Sequence, residues 1–525
     1  MGKRNGKRVV DKDIKTEPKP KRRRDAQGTR IGAGQAQQDK TEDAKPSRDV
    51  YSTLKLIAAI IAPMSCNEFF TTVWEQKPLV FHNKFTENFF CGKFSFGSLL
   101  SIASDSPSSH TEKKPLAFGV DINAARYRDG VRETPNNEAP VRRATLEEMY
   151  RDGITFQLHQ PQRFDDDLMV LMADLEAELG CLVGCNAYLT PKGSQGLAPH
   201  HDDVEIFVCQ THGKKRWWLY QPLGGFQLPS HSSGDLPESI IGAPVMDVTL
   251  KEGDVLYMPR GTVHQAAAQK KDSAHLTIST YQRWSWGDLA VSILQQAINA
   301  TGEPGCLPIS ARLSLPPGFL YQHGLAPLSR DSASAAGDSA ARLATCLREM
   351  ADRIETYPQM LAIAADSMAM DMQRSRLAPN PEDLPAAGEE PAHGCMIAPR
   401  CAKGTFRVVP DQGSDGLMLL HCLSNDRMQH MMPVLDSEDE EEEPSKEEEL
   451  GEEDHSGSGE GSDSSGEGPK DLNLIGPFPD SWLDAAVQVL GADNPFPLEE
   501  LEIDDDDEQL EAARFLWRSG ALMTL

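Results

Sequence analysis

The run Pro199-His200-His201-Asp202-Asp203-Val204-Glu205-Ile206-Phe207 carries imidazoles and carboxylates into an apolar, strand-like segment. Further along, Gly253-Asp254-Val255-Leu256-Tyr257-Met258-Pro259-Arg260-Gly261-Thr262-Val263-His264 sets another imidazole just past a short strand signal. Two histidines and one carboxylate brought from separate strands form a facial triad, which leaves metal positions open for a cosubstrate and O₂. A lone His-x-Asp is weak evidence, because Asp beside His is common. The second motif, in the right order, makes the metal reading specific. Two overlapping pairs, His200/Asp202 and His201/Asp203, satisfy the spacing equally well, and spacing alone does not choose between them.

An oxygenase that uses a 2-oxo dicarboxylate must also hold the far carboxylate, and a cation with hydroxyls inside a barrel does this. Lys214 and Lys215 head the segment Arg216-Trp217-Trp218-Leu219-Tyr220. A lysine pointing into a barrel is costly unless it meets an anion, whereas one in a hairpin turn is simply solvated. The local sequence supports both placements. Asn186 and Tyr188 share one strand face at period two, as do His275 and Thr277.

Positioning such groups takes a strand-rich scaffold. Cys181–Thr190, Val204–Cys209, Lys215–Tyr220, Val245–Leu250, Val255–Met258 and His275–Tyr281 are short β-branched or aromatic segments separated by Gly-rich turns. They predict a β-sandwich closed as a jelly roll. Ahead of them, Phe69–Leu79 reads as a helix entering a strand at Leu79–Phe81, and Gly153–Leu158 reads as a strand. Thr145-Leu146-Glu147-Glu148 has capping-box spacing and predicts the start of a short helix. Asp165–Leu179 repeats apolar residues at helical spacing and stops at Gly180. After Trp286, amphipathic helices over Asp288–Ala300, Ser339–Glu355 and Leu361–Arg374 need a neighbouring domain or a second copy to cover their apolar faces. From Gly394 a hairpin (Thr405–Val409, Leu417–Cys422) and helices (Ser481–Leu490, Glu508–Arg518) suggest a winged helix-turn-helix.

The 525 residues carry a formal net charge of −28, unevenly distributed. The first fifty residues are basic, and Lys19-Pro20-Lys21-Arg22-Arg23-Arg24 reads as a nuclear import signal. A solvated tail that adheres to RNA is the plainer alternative. Acid concentrates in Asp436–Asp454 and Asp504–Glu508, and the excess over 401–525 argues against direct nucleic-acid binding by a C-terminal winged helix. Ten cysteines without CxxC pairs fit a reducing compartment. No secretory h-region and no long apolar run is present, so neither secretion nor membrane spanning is expected.

Asn186–Tyr220, Gly253–Gln265 and His275–Gln282 together resemble the JmjC-domain ribosomal oxygenases, in particular the nucleolar branch described as bifunctional lysine-specific demethylases and histidyl-hydroxylases. The resemblance spans about Tyr51 to Leu525, outside the acidic insertion. It implies an α+β chain with a JmjC double-stranded β-helix, a jelly-roll or cupin core, over 51–286. A helical dimerisation region over 287–390 follows, then a winged-helix domain over 394–525. A disordered basic tail (1–48) and a disordered acidic insertion (436–470) complete the layout. It implies Fe(II), 2-oxoglutarate and O₂ as cofactor and cosubstrates. It assigns the metal to His200, Asp202 and His264, the cosubstrate carboxylate to Lys215, and further pocket positions to Asn186, Tyr188, His275 and Thr277. Position 201 departs from the aromatic of relatives. The implied reaction is 2-oxoglutarate decarboxylation coupled to β-carbon hydroxylation of a histidine on a ribosomal large-subunit protein. Methyl-lysine demethylation on histone H3, in chromatin and transcriptional repression, is the alternative. The triad Asp favours the first, since demethylases typically carry Glu there. A non-catalytic interaction protein ranks last, given the intact His200, Asp202, His264 and Lys215. The implied setting is the nucleolus and nucleoplasm, with the chain as a homodimer or higher homo-oligomer.

Overall fold

The computed structural model describes residues 51, 53–82, 89–103, 116–137, 140–302, 305–323, 332–411, 416–432 and 473–525. The basic tail with its import signal and the acidic insertion lie outside these residues. Nine strands of the first half join in one sheet. They are β1 (Leu79–Phe81), β2 (Ile122–Arg128), β3 (Val131–Glu133), β4 (Thr155–His159), β5 (Val183–Thr190), β6 (Glu205–Tyr220), β7 (Met246–Lys251), β8 (Val255–Met258) and β9 (Val263–Thr280). The order is β1-β8-β6-β9-β5-β4-β2-β3, with β7 also on β6, and all these pairings are antiparallel. This is a cupin-type core.

Two strands are longer than the sequence predicts. Val204–Cys209 and Lys215–Tyr220 are not separate; both belong to β6, which runs unbroken past Gly213. Here the glycine marks a bulge, not a hairpin turn. Gly213 has φ +65°, and a Cβ there would meet Asp272 O at 2.0 Å. The facing register shifts between Gln210/His212 and again between Gly213/Lys215. His275–Tyr281 is likewise only the second half of β9, whose polar middle (Gln269–Asp272) sits opposite the bulge. Before the bulge β6 pairs with β8, and after it with β7, so the sheet branches there.

The helix Asp166–Leu179 forms as predicted. Asp165 caps it by accepting from Leu168 N, and Gly180 ends it in the left-handed region. The Thr145 capping box does not form. That helix spans Arg143–Arg151, starts upstream at an extended Arg142, and has no side-chain cap; an Arg143–Glu147 pair one turn apart supports the earlier start.

The main core joins Phe69, Phe156, Phe207, Tyr257, Leu171, Met172 and Ile278 across the sheet and its flanking helices. Helices Trp286–Asn299, Ser332–Thr356 and Gln359–Ser375 follow, sharing a small cluster of Ile293, Ala297, Met350, Met360 and Ala364. In the C-terminal part, two three-stranded sheets pack with helices Leu483–Gly491 and Asp506–Arg518. No described helix is long and apolar enough to cross a membrane.

Candidate active site

The inner face of the sheet is polar in rows. On β5, Asn186, Tyr188 and Thr190 pair with Thr277, His275 and Ser273 of β9. On the other side, Tyr188 faces Gln157 and Asn186 faces His159 of β4. The period-two alternation of strands sends these groups to one side, while Cys185, Ala187 and Leu189 go to the core.

At one end of this face, an isolated bridge joins His200 to the first residues of β9. His264 N donates to His200 O at 2.8 Å, and His200 N to His264 O at 3.2 Å. The imidazole rings stand 4.4 Å apart. One ligand atom from each of His200, Asp202 and His264 lies within 4.8 Å of the others. Asp202 Oδ2 is 3.6 Å from His264 Nε2, and Oδ1 is 4.0 Å from His200 Nε2. His200 Nδ1 lies 2.8 Å from Ala198 O and His264 Nδ1 lies 3.0 Å from Thr262 O. A carbonyl only accepts, so both Nδ1 atoms carry the proton and both Nε2 lone pairs face Asp202. Burial, and then the charge of His200, hold His264 down to about 4, so it is neutral and ready to ligate at physiological pH. Two neutral Nε2 donors and a carboxylate on adjoining segments fit a divalent metal that keeps open positions.

His201 does not join this group. Its N–H donates to Ser233 Oγ at 2.9 Å, and its carbonyl accepts from Ser233 N. Together with Leu236 N donating to Pro199 O, this clamps the ligand-bearing turn from the loop before β7.

Lys215 and Lys214 separate sharply across the bulge. Lys214 is exposed, while Lys215 is 5% exposed and points inward. Its Nζ donates to Thr190 Oγ1 at 3.0 Å and lies 5.9 and 5.7 Å from the Tyr188 and Trp217 ring centres. Burial pulls it down to about 7. Among the described residues no carboxylate pairs with it. A cavity adjoins it, lined by the triad together with Tyr188, Trp217, His275 and Thr277. His275 stacks on Tyr188 with ring centres 4.8 Å apart. Burial, then Lys215, hold its imidazole well below its ordinary value. Asn186 is set apart from the cavity lining. Its Oδ1 accepts from His159 Nδ1 at 3.2 Å, and His159 Nε2 accepts from Asn123 Nδ2 at 2.9 Å.

The residue reading passed over several neighbours. Glu205 is fully buried and bridges the two ligand-bearing segments. It accepts from Tyr257 Oη at 2.5 Å and from Arg260 N at 3.3 Å, and Arg260 also reaches Glu75. Burial pushes its carboxyl up to about 7. Its signal was a charge inside the apolar run Val204–Phe207. Trp217 and Thr155 also line the cavity; their types carry no such signal.

A family model described as the JmjC domain matches residues 157–289. Ribosomal oxygenase 2 of Rattus norvegicus is 32% identical over 391 residues, covering 71% of this chain and 78% of the relative. The chain belongs to the ribosomal oxygenase family. This JmjC ribosomal oxygenase is therefore a 2-oxoglutarate-dependent dioxygenase, with Fe(II) as its metal. A bifunctional lysine-specific demethylase and histidyl-hydroxylase of Drosophila persimilis is 32% identical over 363 residues, covering 68% of this ribosomal oxygenase and 50% of the relative. A solved ribosomal oxygenase of Escherichia coli aligns with TM-score 0.41 and 15% identity over 88% of this chain and 98% of that one. The assignment rests on the sequence relatives.

Proposed function

We propose that this enzyme hydroxylates the β-carbon of a histidine in a ribosomal large-subunit protein, with His200, Asp202 and His264 holding Fe(II) and Lys215 receiving the far carboxylate of 2-oxoglutarate. The observation that carries the cosubstrate assignment is Lys215, a buried cation without an anionic partner among the described residues, in the same cavity as a His-Asp-His cluster. A buried charge of this kind is expensive unless an anion arrives. When bound, the metal and cosubstrate supply O₂-driven C–H hydroxylation with loss of CO₂ and succinate. The chain's own part is preorganisation. Ala198 and Thr262 carbonyls fix both imidazole tautomers, Ser233 and Glu205 hold the two ligand segments, and Lys215 neutralises the incoming dicarboxylate. Tyr188, His275, Thr277 and, one register further, Asn186 form the polar floor.

The choice of substrate is supported by the names of the relatives, ribosomal oxygenase and histidyl-hydroxylase, and by Asp rather than Glu in the triad. Iron-loaded protein with 2-oxoglutarate should add one oxygen to histidine in ribosomal peptides. No such product by mass spectrometry, with succinate still released, sinks the substrate. The name of the Drosophila relative favours a second reading, methyl-lysine demethylation on histone H3. Methyl loss from H3 peptides at rates matching hydroxylation would promote it.

We also propose that two copies pair through the region 287–390. Its helices leave Val291, Ile298, Leu343 and Leu347 more than half exposed, an apolar surface unusual for a monomer. Light scattering on the full chain should give a dimer or larger assembly. The unit over 394–525 is proposed to be a winged helix that binds protein, its acidic excess opposing phosphate. The basic tail is proposed to direct the chain to the nucleus and nucleolus.

A further inference from the structure

The wall of the cavity beside Lys215 contains a hydroxyl that no described residue uses. Thr155 opens β4. The next residue, Phe156, pairs with Leu189 of β5, so Thr155 lies beside Thr190 across the ladder. Thr190 Oγ1 already accepts from Lys215 Nζ. An ammonium carries three donors, so two remain for an incoming carboxylate. Thr155 is 2% exposed, lines the cavity, and its Oγ1 has no hydrogen-bond partner among the described residues. Leaving a buried hydroxyl unmatched costs about 1–3 kcal/mol, and the open space next to it is the cavity.

Gly196 closes the same corner. It lines the cavity, and a Cβ placed on it would meet Thr155 Cβ at 2.6 Å, Cγ2 at 2.7 Å and Oγ1 at 2.9 Å. The segment over it is tied down from both sides. Tyr127 N donates to Gln195 O, and Ala268 N to Ser194 O. The Thr155 side chain and the Gly196 backbone thus form a wall that neither side can readily vacate.

We infer that Thr155 is a further cosubstrate-binding residue: its hydroxyl, with Lys215 and Thr190, holds the far carboxylate, and its methyl, backed by Gly196, limits the length of the 2-oxo dicarboxylate. This rests on the cosubstrate reading of Lys215. Thr155 acts by direct contact with the carboxylate, and in the 2-oxoglutarate-free protein its hydroxyl stays unmatched. A dicarboxylate one methylene longer, 2-oxoadipate, would press against Thr155 Cγ2.

The test is calorimetric binding of 2-oxoglutarate and 2-oxoadipate to the full chain loaded with Mn(II) under anaerobic conditions, so no turnover is needed. Thr155→Val, near in shape but without the hydroxyl, should weaken 2-oxoglutarate binding about tenfold, the worth of a hydrogen bond to a charged group, with Mn(II) affinity unchanged and the Tm of the 2-oxoglutarate-free protein no lower than wild type. Thr155→Ser keeps the hydroxyl and should bind 2-oxoglutarate like wild type while narrowing the preference over 2-oxoadipate. Unchanged 2-oxoglutarate affinity in a folded Thr155→Val overturns the inference. Should that variant misfold, a Thr155→Ser preference identical to wild type overturns it instead. Lys215→Ala separates the two levels. If wild type binds and Lys215→Ala does not, the cosubstrate reading stands whatever Thr155 does; if wild type itself fails to bind, that reading falls and takes this one with it.

Discussion

Lys215 is the residue whose chemistry is most constrained by its surroundings. Among the described residues its ammonium has one hydroxyl partner and no anion, and burial brings it from the usual lysine range to about 7. In the unfolded chain it stays protonated to far higher pH, so between about 7 and 10.5 the unfolded state binds the extra proton. Stability of the 2-oxoglutarate-free protein should therefore rise with pH through that window, and the penalty is full below about 7. Lys215→Met removes it. The variant should melt higher than wild type at pH 6, with the gain shrinking by pH 9, while losing 2-oxoglutarate binding. Thermal scans at the two pH values check this, and a gain independent of pH would show that Lys215 carries no buried charge. At the metal cluster, His200→Ala should abolish hydroxylation, whereas His201→Ala, whose contacts run through its backbone to Ser233, should remain active. Equal loss in both would refute the ligand assignment. The types His, Asp and Lys were legible in the sequence because few other roles suit them there. Which of two neighbours points inward was not, because that depends on strand phase.

Strand phase on β6 is set by one glycine. Between Gln210 and Lys215 the ladder to β9 slips twice, and Gly213 with positive φ sits between the two slips, against the Asp272 carbonyl. A one-residue change of register reverses every side chain after it, so the bulge is what turns Lys215 and Trp217 inward while Lys214 and Arg216 face out. Gly213→Ala adds a Cβ 2.0 Å from backbone oxygen. It should destabilise by more than the roughly 1 kcal/mol of a left-handed alanine and weaken 2-oxoglutarate binding more than metal binding, since Lys215 directly follows the slip while His200 and His264 are bridged to each other away from it. Equal losses in the two titrations would contradict this. The same bulge explains why the strand reading split β6 and truncated β9. A Thr-His-Gly-Lys stretch and a Gln-Lys-Lys-Asp stretch both look like turns, and only their facing each other shows that they are the two sides of one irregular ladder. The helix at Asp166–Leu179 was read correctly because its cap, apolar repeat and terminal glycine are all local.

The C-terminal part is joined to the oxygenase barrel by a buried polar knot that no local pattern announces, because its members lie far apart in the chain. Glu176, fully buried near the end of the helix Asp166–Leu179, accepts from Val183 N at the start of β5, from Leu377 N beyond the helix Gln359–Ser375, and from His430 Nε2 at 2.9 Å. Gln162 Nε2 lies 3.0 Å from His430 Nδ1 and also donates to Gln160 Oε1, which accepts in turn from Cys185 N. Arg427 reaches the Arg163 carbonyl and Asp166 on the rim. One carboxylate therefore ties the strand carrying Tyr188 and Asn186 to two later segments. Removing it leaves two backbone N–H groups and an imidazole unmatched in the interior, and breaking a buried pair this way costs about 3–5 kcal/mol. Glu176→Ala should lower Tm steeply, whereas the Arg427→Ala rim variant should barely move it, since half-exposed pairs contribute about 0–1 kcal/mol. The coupling is tested by a double-mutant cycle with His430→Ala. Residues that share one hydrogen-bond knot should lose far less together than the sum of their separate losses. Additive losses would mean that Glu176 and His430 are not coupled, and that the segment around His430 can detach without disturbing β5 or the cosubstrate floor it carries.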